Sequence, residues 1–423
     1  MGIISSELYR VSHSGAPLFT KVFLPSSKSI SNRVLIINAL AYSVTEIGNL
    51  SDSDDTRVLK EALSSNHNNF DIGHAGTAMR FLTAFLSKIT GEWTVTGSPR
   101  MKQRPIHILV DSLRKMGAHI DYLEQEGFPP LRILGSHLKG GTFDLDGSVS
   151  SQYISALLMI GPTLEGGLTL RLQNRITSRS YIEMTLDLMR RFGIQSTFVD
   201  NEIHVEEQPY RPMPFTVESD WSAASYWYEM LALSSGGEIE LPHLYNSRLQ
   251  GDAAIAGWFE AFGIQTLFEL EGTRIVKLNA SKPARLAINF HETPDMAQTM
   301  AVLCVAKRVP FHFTGLETLK IKETNRVEAL MVELKKLGAL LNEPAEGSLS
   351  WDGSIDASFV QEVPKIETYN DHRMALAFAP LALLGKNIEI VHPGVVTKSY
   401  PQFWNDLAAA DFIFTAGSLS EPI

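Results

Sequence analysis

One pattern recurs along the chain: an apolar residue, a glycine, then Ala or Ile. It occurs at Met116-Gly117-Ala118, Phe192-Gly193-Ile194, Phe262-Gly263-Ile264 and Leu337-Gly338-Ala339. Successive glycines lie 76, 70 and 75 residues apart. Each ends an amphipathic stretch, where glycine supplies the left-handed residue that stops a helix. Strand-like runs follow, as at residues 118–123 and 195–199. A second kind of helix alternates with these, small or polar at its start and then densely apolar. Six stretches qualify: residues 29–41 (SISNRVLIINALA), 74–87 (HAGTAMRFLTAFLS), 150–162 (SSQYISALLMIGP), 221–233 (WSAASYWYEMLAL), 293–306 (TPDMAQTMAVLCVA) and 370–383 (NDHRMALAFAPLAL). Helices apolar on nearly every side are buried inside a domain. Six units of about 70 residues account for the 423-residue chain. Each reads as two helices plus strands, so the fold class is α/β (α+β) with internal pseudo-symmetry.

The first unit is short. Only 45 residues separate Ser29 from His74, and after a helix at 54–63 the segment 64–71 (SSNHNNFD) has no room for a strand pair, so two strands are expected to be missing. The chain is too long for one core, and two globular domains of roughly 200 residues are expected.

The formal charge of −10 argues against a nucleic-acid or anionic-membrane surface, both of which attract excess Lys and Arg. An anionic ligand must then be held by a local basic cluster. A lone cysteine, Cys304, excludes an intramolecular disulfide and a Cys-based metal site, so a reducing, cytoplasmic setting is expected. Residues 1–6 (MGIISS) match the myristoylation pattern formally, but no basic patch or spacer follows, and the match reads as chance. No metal site is expected, since His291-Glu292 lacks the second His of a zinc helix.

Polar and basic residues gather where the apolar helices begin: Lys28, Ser29 and Arg33; Gly76, Thr77 and Arg80; Ser150, Ser151 and Gln152; His372 and Arg373. Free N–H groups and the helix dipole favour anions there. Further basic groups lie at Arg100, Arg104, Lys322, Arg326 and Lys398. Singly, each reads as a solvated charge or a cap. Together they describe sites for two small, multiply charged anions, since guanidinium forks suit carboxylate and phosphate.

These stretches resemble the 5-enolpyruvylshikimate-3-phosphate synthase family of enolpyruvyl transferases. The likeness runs over residues 24–33 (LPSSKSISNR), 74–80 (HAGTAMR), 99–106 (PRMKQRPI), 150–159 (SSQYISALLM), 178–189 (SRSYIEMTLDLM), Pro294-Asp295, 322–326 (KETNR), 369–374 (YNDHRM) and 397–401 (TKSYP). It implies two domains of three β/α units each, one formed by residues 1–20 with 218–423 and the other by 21–217, with the active site in the cleft. It implies transfer of the enolpyruvyl group from phosphoenolpyruvate to the 5-hydroxyl of shikimate 3-phosphate, through a tetrahedral intermediate and with no cofactor. By resemblance, shikimate 3-phosphate is expected at Lys28, Ser29, Arg33, Ser150, Ser151, Gln152, Ser178, Asp295, Thr318 and Lys322. Phosphoenolpyruvate is expected at Lys28, His74, Gly76, Arg104, Gln152, Arg326, Arg373 and Lys398. The chemistry needs a base and an acid, and two carboxylates in opposite protonation states suffice. Asp295 is assigned as base and Glu323 as acid, with Lys28 stabilising developing charge. Lys322 and Arg326 favour the ionised form of Glu323, so substrate must help it hold a proton.

The sequence departs from the family pattern in places. Ser26 replaces a glycine, His74 an asparagine, Phe81 and Ser180 prolines, and Thr318 an asparagine, so retained activity with altered affinities is expected. Gly76 leaves room for the inhibitor glyphosate. The resemblance implies a monomer with small-molecule partners, no nucleic acid and no membrane. Two rivals stand beside this reading. One is UDP-N-acetylglucosamine enolpyruvyl transferase, whose mobile-loop cysteine has no counterpart in Cys304, which sits in an apolar run. The other is a non-catalytic repeat scaffold, which would have no need of the charged set above.

Overall fold

A computed structural model describes residues 7–148 and 150–418. The segment 1–6, with its formal myristoylation match, lies outside the described residues. The chain divides into two compact units, Met1–Pro25 with Glu218–Ile423, and Ser26–Val217. The first crossing therefore follows Pro25. A boundary at residue 20 would cut the strand Leu18–Lys21, which pairs in parallel with Gly237–Pro242 and so belongs with the terminal segments.

Within Ser26–Val217 the buried helices are Lys28–Leu40, Gly76–Lys88 and Ser151–Ile160. Around them lie two four-stranded sheets, ordered Asn69–Asp71, Gly91–Thr96, Leu131–Gly135, His119–Tyr122 and Ser196–Val199, Glu202–Val205, Glu165–Gln173, Lys139–Asp146. The third sheet is a single parallel pair, Ile47–Gly48 with Phe215–Thr216, where the shortened first repeat lacks strands. The other unit has buried helices Trp221–Leu233, Ala297–Lys307 and His372–Phe378. Its sheets have four, three and four strands, and the terminal strands Leu8–Ser12 and Ile413–Gly417 pair with each other in one of them.

The repeated glycines do what their position demands. Gly117, Gly193, Gly263 and Gly338 have φ of +101°, +87°, +76° and +84°. In three of the four motifs the next residue's N–H bonds back to a carbonyl five residues earlier, as Ala118 does to Leu113 at 2.9 Å. Prolines shorten two of the expected helices. The third becomes a 3-10 turn, Gly161–Thr163, at Pro162, and the last becomes Ala379–Leu384 at Pro380, because proline offers no N–H to continue the α ladder. The fifth opens as a 3-10 turn, Pro294–Met296, that carries Asp295.

Every residue of Trp221–Leu233 is buried, including Glu229, whose two carboxyl oxygens have no hydrogen-bond partner. Burial holds its carboxyl well above the usual range. The folded protein therefore keeps the proton over a pH range in which the unfolded chain, with its glutamate near 4.5, has lost it. Stability falls as pH rises through that range. Glu229→Gln is expected to be the more stable protein, by on the order of 1–3 kcal/mol near neutrality. Thermal unfolding should show the gap widening from about pH 5 to about pH 8; a gap independent of pH would mean that Glu229 is ionised in the fold.

Candidate active site

None of the six buried helices carries an acidic residue in its first turn, which leaves their N–H ends open to anions. In the unit built on Trp221–Leu233 these ends meet an ionic cluster centred on Arg326. This arginine opens the helix Arg326–Lys335 and is only 2% exposed. Its Nε donates to Asp371 Oδ2 at 2.6 Å, Nη1 to Asp295 Oδ1 at 2.8 Å and Nη2 to Glu323 Oε2 at 2.9 Å. The other oxygen of Glu323 accepts from Lys398. Asp295 also lies 3.0 Å from Arg373 Nη2 and 3.7 Å from Lys322 Nζ. Burial by itself would raise Asp295, but Arg373, Lys322 and Arg326 together outweigh it and hold the carboxyl well below its usual range. Three carboxylates thus face four cations, and the predicted Asp295, Lys322, Glu323, Arg326, Arg373 and Lys398 come together. Thr318 lies half-buried in the turn Glu317–Ile321 just before Lys322.

The second group lies within Ser26–Val217. Lys28, Gly76 and Ser151 are each the first residue of their helix. Lys28 Nζ sits 3.4 Å from the buried Asp55 Oδ2. Ser150 caps its helix by accepting from the Gln152 N–H at 3.3 Å, and Gln152 Nε2 reaches Thr77 Oγ1 at 3.4 Å, tying two helix starts together. Gly76 faces the guanidinium of Arg104 so closely that a Cβ there would lie 2.5 Å from Nη1. His74 Nδ1 shares a hydrogen bond with Ser98 at 3.0 Å. Ser178 takes a left-handed conformation, φ +54°, before the helix Arg179–Arg191. The N–H of the preceding Thr177 bonds Gly147 O, which ties the approach to Ser178 to the approach to Ser150.

Arg33 and Arg80 have structural attachments. Arg33 donates to Thr185 Oγ1, Ser155 Oγ and the carbonyls of Ser29 and Tyr181, and its guanidinium lies over the Phe81 ring. Burial pushes it down to about 10. The aromatic Phe81, where the family has proline, thus gives this buried cation a face to rest on. Arg80 donates to Pro105 O at 2.9 Å and holds the Arg104 segment against its own helix. His372 is buried, 3.6 Å from Asp371.

Sequence reasoning missed three residues. Asp371 caps the helix His372–Phe378 by accepting from the Arg373 N–H at 3.0 Å while anchoring Arg326; its place as an acid just ahead of an apolar helix was the available signal. Tyr226 and Ser222, which take the Arg373 guanidinium at 3.2 and 3.4 Å, read in sequence as part of an apolar run. Cys304 is buried in Ala297–Lys307, where burial pushes its thiol up, so it is a core residue. Among the described residues no group of three or more His, Cys, Asp or Glu could hold a metal ion, and no helix is long and apolar enough to cross a membrane.

An α/β chain that lines its helix starts with cations and sets carboxylates among them fits an enzyme acting on small anions. The chain belongs to the EPSP synthase (3-phosphoshikimate 1-carboxyvinyltransferase) family, whose sequence model matches residues 13–65 and 59–407. It is 53% identical over 395 residues to the 3-phosphoshikimate 1-carboxyvinyltransferase of Bacteroides fragilis strain YCH46, covering 93% of this chain and 96% of the relative. Identity to the enzyme of that name from Shewanella amazonensis is 36% over 424 residues, covering 92% and 95%. In fold it is similar to the EPSP synthase of Acinetobacter baumannii, with a TM-score of 0.74 at 20% identity, covering 96% of this chain and 100% of that one. It is also similar to the enolpyruvyl transferase NikO of Streptomyces tendae, with a TM-score of 0.73 at 17% identity, covering 97% and 100%.

Proposed function

We propose that this chain is a monomeric, cytoplasmic enzyme that moves the enolpyruvyl group of phosphoenolpyruvate onto the 5-hydroxyl of shikimate 3-phosphate and releases phosphate. The observation that carries this beyond family membership is the Arg326 cluster, where ionised carboxylates occupy the cations that two anionic substrates need. Shikimate 3-phosphate is assigned Lys28, Ser29, Arg33, Ser150, Ser151, Gln152, Ser178, Asp295, Thr318 and Lys322. Phosphoenolpyruvate is assigned Lys28, His74, Gly76, Arg104, Gln152, Arg326, Arg373 and Lys398.

The reaction needs a proton taken from the 5-hydroxyl as its oxygen attacks C2, and a proton given to C3, which becomes a methyl group. Phosphate then leaves C2 with its bonding pair while the methyl group returns a proton, and the vinyl ether forms. Asp295, fully ionised, is the base. It is a weak base while Arg373, Lys322 and Arg326 surround it. Arrival of the donor's phosphate and carboxylate turns those cations toward the substrate, which strengthens Asp295 as a base and lets Glu323, relieved of Lys398 and Arg326, hold the proton for C3. Lys28 and the helix ends stabilise charge on the departing phosphate.

The test is phosphate release with both substrates and no added metal or nucleotide. Release that requires both substrates is expected. Equal release with UDP-N-acetylglucosamine as acceptor would favour the other enolpyruvyl transferase.

Gly76 gives a second check. In Gly76→Ala the new Cβ must push aside the end of the Arg104 side chain, since it would lie 2.9 Å from Nη2 and 3.0 Å from Cζ as well. Arg104 is flexible, so stability should change by no more than about 0.5 kcal/mol. The KM for phosphoenolpyruvate should rise roughly tenfold, the worth of one charge-assisted hydrogen bond. An unchanged KM would remove Arg104 from the donor site.

A further inference from the structure

One buried carboxyl touches this machinery without an assigned role. Asp252 lies in the 3-10 turn Gly251–Ala254. Its Oδ2 accepts from Ser222 Oγ at 2.5 Å, and the same Oγ accepts from Arg373 Nη2 at 3.4 Å. That Nη2 is 3.0 Å from Asp295 Oδ2. A serine hydroxyl has one proton; once it is given to Asp252, only lone pairs face the guanidinium. Without that acceptor the hydroxyl can turn its proton toward Arg373 and repel it. The turn is itself anchored. Gln250 accepts from the Trp221 N–H at 3.0 Å and donates to Glu218 Oε1 and Ser219 O, both at 2.8 Å. Asp252 is thereby fixed against the first turn of Trp221–Leu233, where Ser222 sits.

We propose that Asp252 is a positioning residue which, by orienting the Ser222 hydroxyl, holds the Arg373 guanidinium where it takes the anionic enolpyruvyl donor. This rests on the functional reading above, in which Arg373 meets phosphoenolpyruvate. The electrostatics agree with a responsive group. Burial, with the charge of Asp295 adding, pushes Asp252 up to about 7 against the Ser222 hydrogen bond and Arg373, and Asp220 adds in the raising direction. The charged groups that face it are thus Asp295, Arg373 and Asp220, and its grip on Ser222 weakens as pH falls through neutrality.

The experiment is steady-state kinetics at saturating shikimate 3-phosphate for Ser222→Ala, Asp252→Ala, the double variant and Asp252→Asn. Each alanine variant is expected to raise the KM for phosphoenolpyruvate roughly tenfold, with a smaller change in kcat. The double variant should lose no more than either single, because one path is being cut twice. Asp252→Asn keeps the acceptor and should restore most of the KM while flattening its pH dependence near neutrality. Additive losses, an unchanged KM, or an asparagine variant as poor as alanine would overturn the proposal. If Asp252→Ala does not fold, Ser222→Ala and Asp252→Asn decide the matter by the same criteria. A wild-type protein that releases no phosphate from the two substrates would sink the functional reading and this inference together, whereas active wild type with unaffected variants sinks the inference alone.

Discussion

Arg326→Met is expected to lower the stability of its unit by about 3–5 kcal/mol and to leave no measurable turnover. The reason is what remains after the guanidinium is removed. Asp371 is fully buried and takes two of the Arg326 hydrogen bonds, at 2.6 and 3.3 Å. Asp295 and Glu323 each lose a partner as well. Burial opposes the charge on Arg326, yet Asp371, Glu323 and Asp295 more than offset it and raise this group above its ordinary value. Three carboxylates with one cation fewer repel each other in a site that water reaches poorly. Urea unfolding followed by tryptophan fluorescence should register the loss. The deficit should shrink as pH falls and the stranded carboxylates take up protons. A variant as stable as wild type near neutrality would mean that the cluster contributes nothing to the fold.

The second large effect concerns Glu323→Gln. The amide keeps the side chain's shape and can still accept from Arg326 and Lys398, so the fold and the binding of shikimate 3-phosphate should survive. What it cannot do is deliver a proton to C3. Turnover should therefore fall by on the order of 10²–10⁴-fold, the usual worth of a positioned general acid. Calorimetric titration with shikimate 3-phosphate and a phosphate-release assay separate the two properties. Near-normal turnover would take the acid role away from Glu323.

The fold was legible because its determinants are local. A positive-φ glycine after an amphipathic helix leaves the same mark each time, and helix Trp221–Leu233 has the bounds that its unbroken apolar run predicts. The helix ends shortened by Pro162 and Pro380 were legible too, had the missing N–H been weighed against the hydrophobic pattern. The strand Leu18–Lys21 was misdivided because its partner, Gly237–Pro242, lies more than two hundred residues away, and no local signal reports that pairing.

The charged residues of the site were legible as a set, because cations at helix starts are unusual in an acidic chain. Their connections were not. Sequence gives no sign that Arg326 would hold three carboxylates at once, or that Arg33 would be tied to Thr185 and Ser155. Ser222 and Tyr226 were hidden for a different reason. Embedded among Trp and Ala, they count as core by composition, and only the placement of Arg373 shows their polar atoms in use.

All of this depends on cations that release their own carboxylates to take two anions, so that those carboxylates can move protons to and from one carbon. Product made in deuterium oxide and read by NMR tests it most directly. Addition of a solvent deuteron to C3, followed by loss of one of three hydrogens from the resulting methyl group, predicts deuterium in the vinyl group of the product. A product formed at full rate with no deuterium in that group would contradict it.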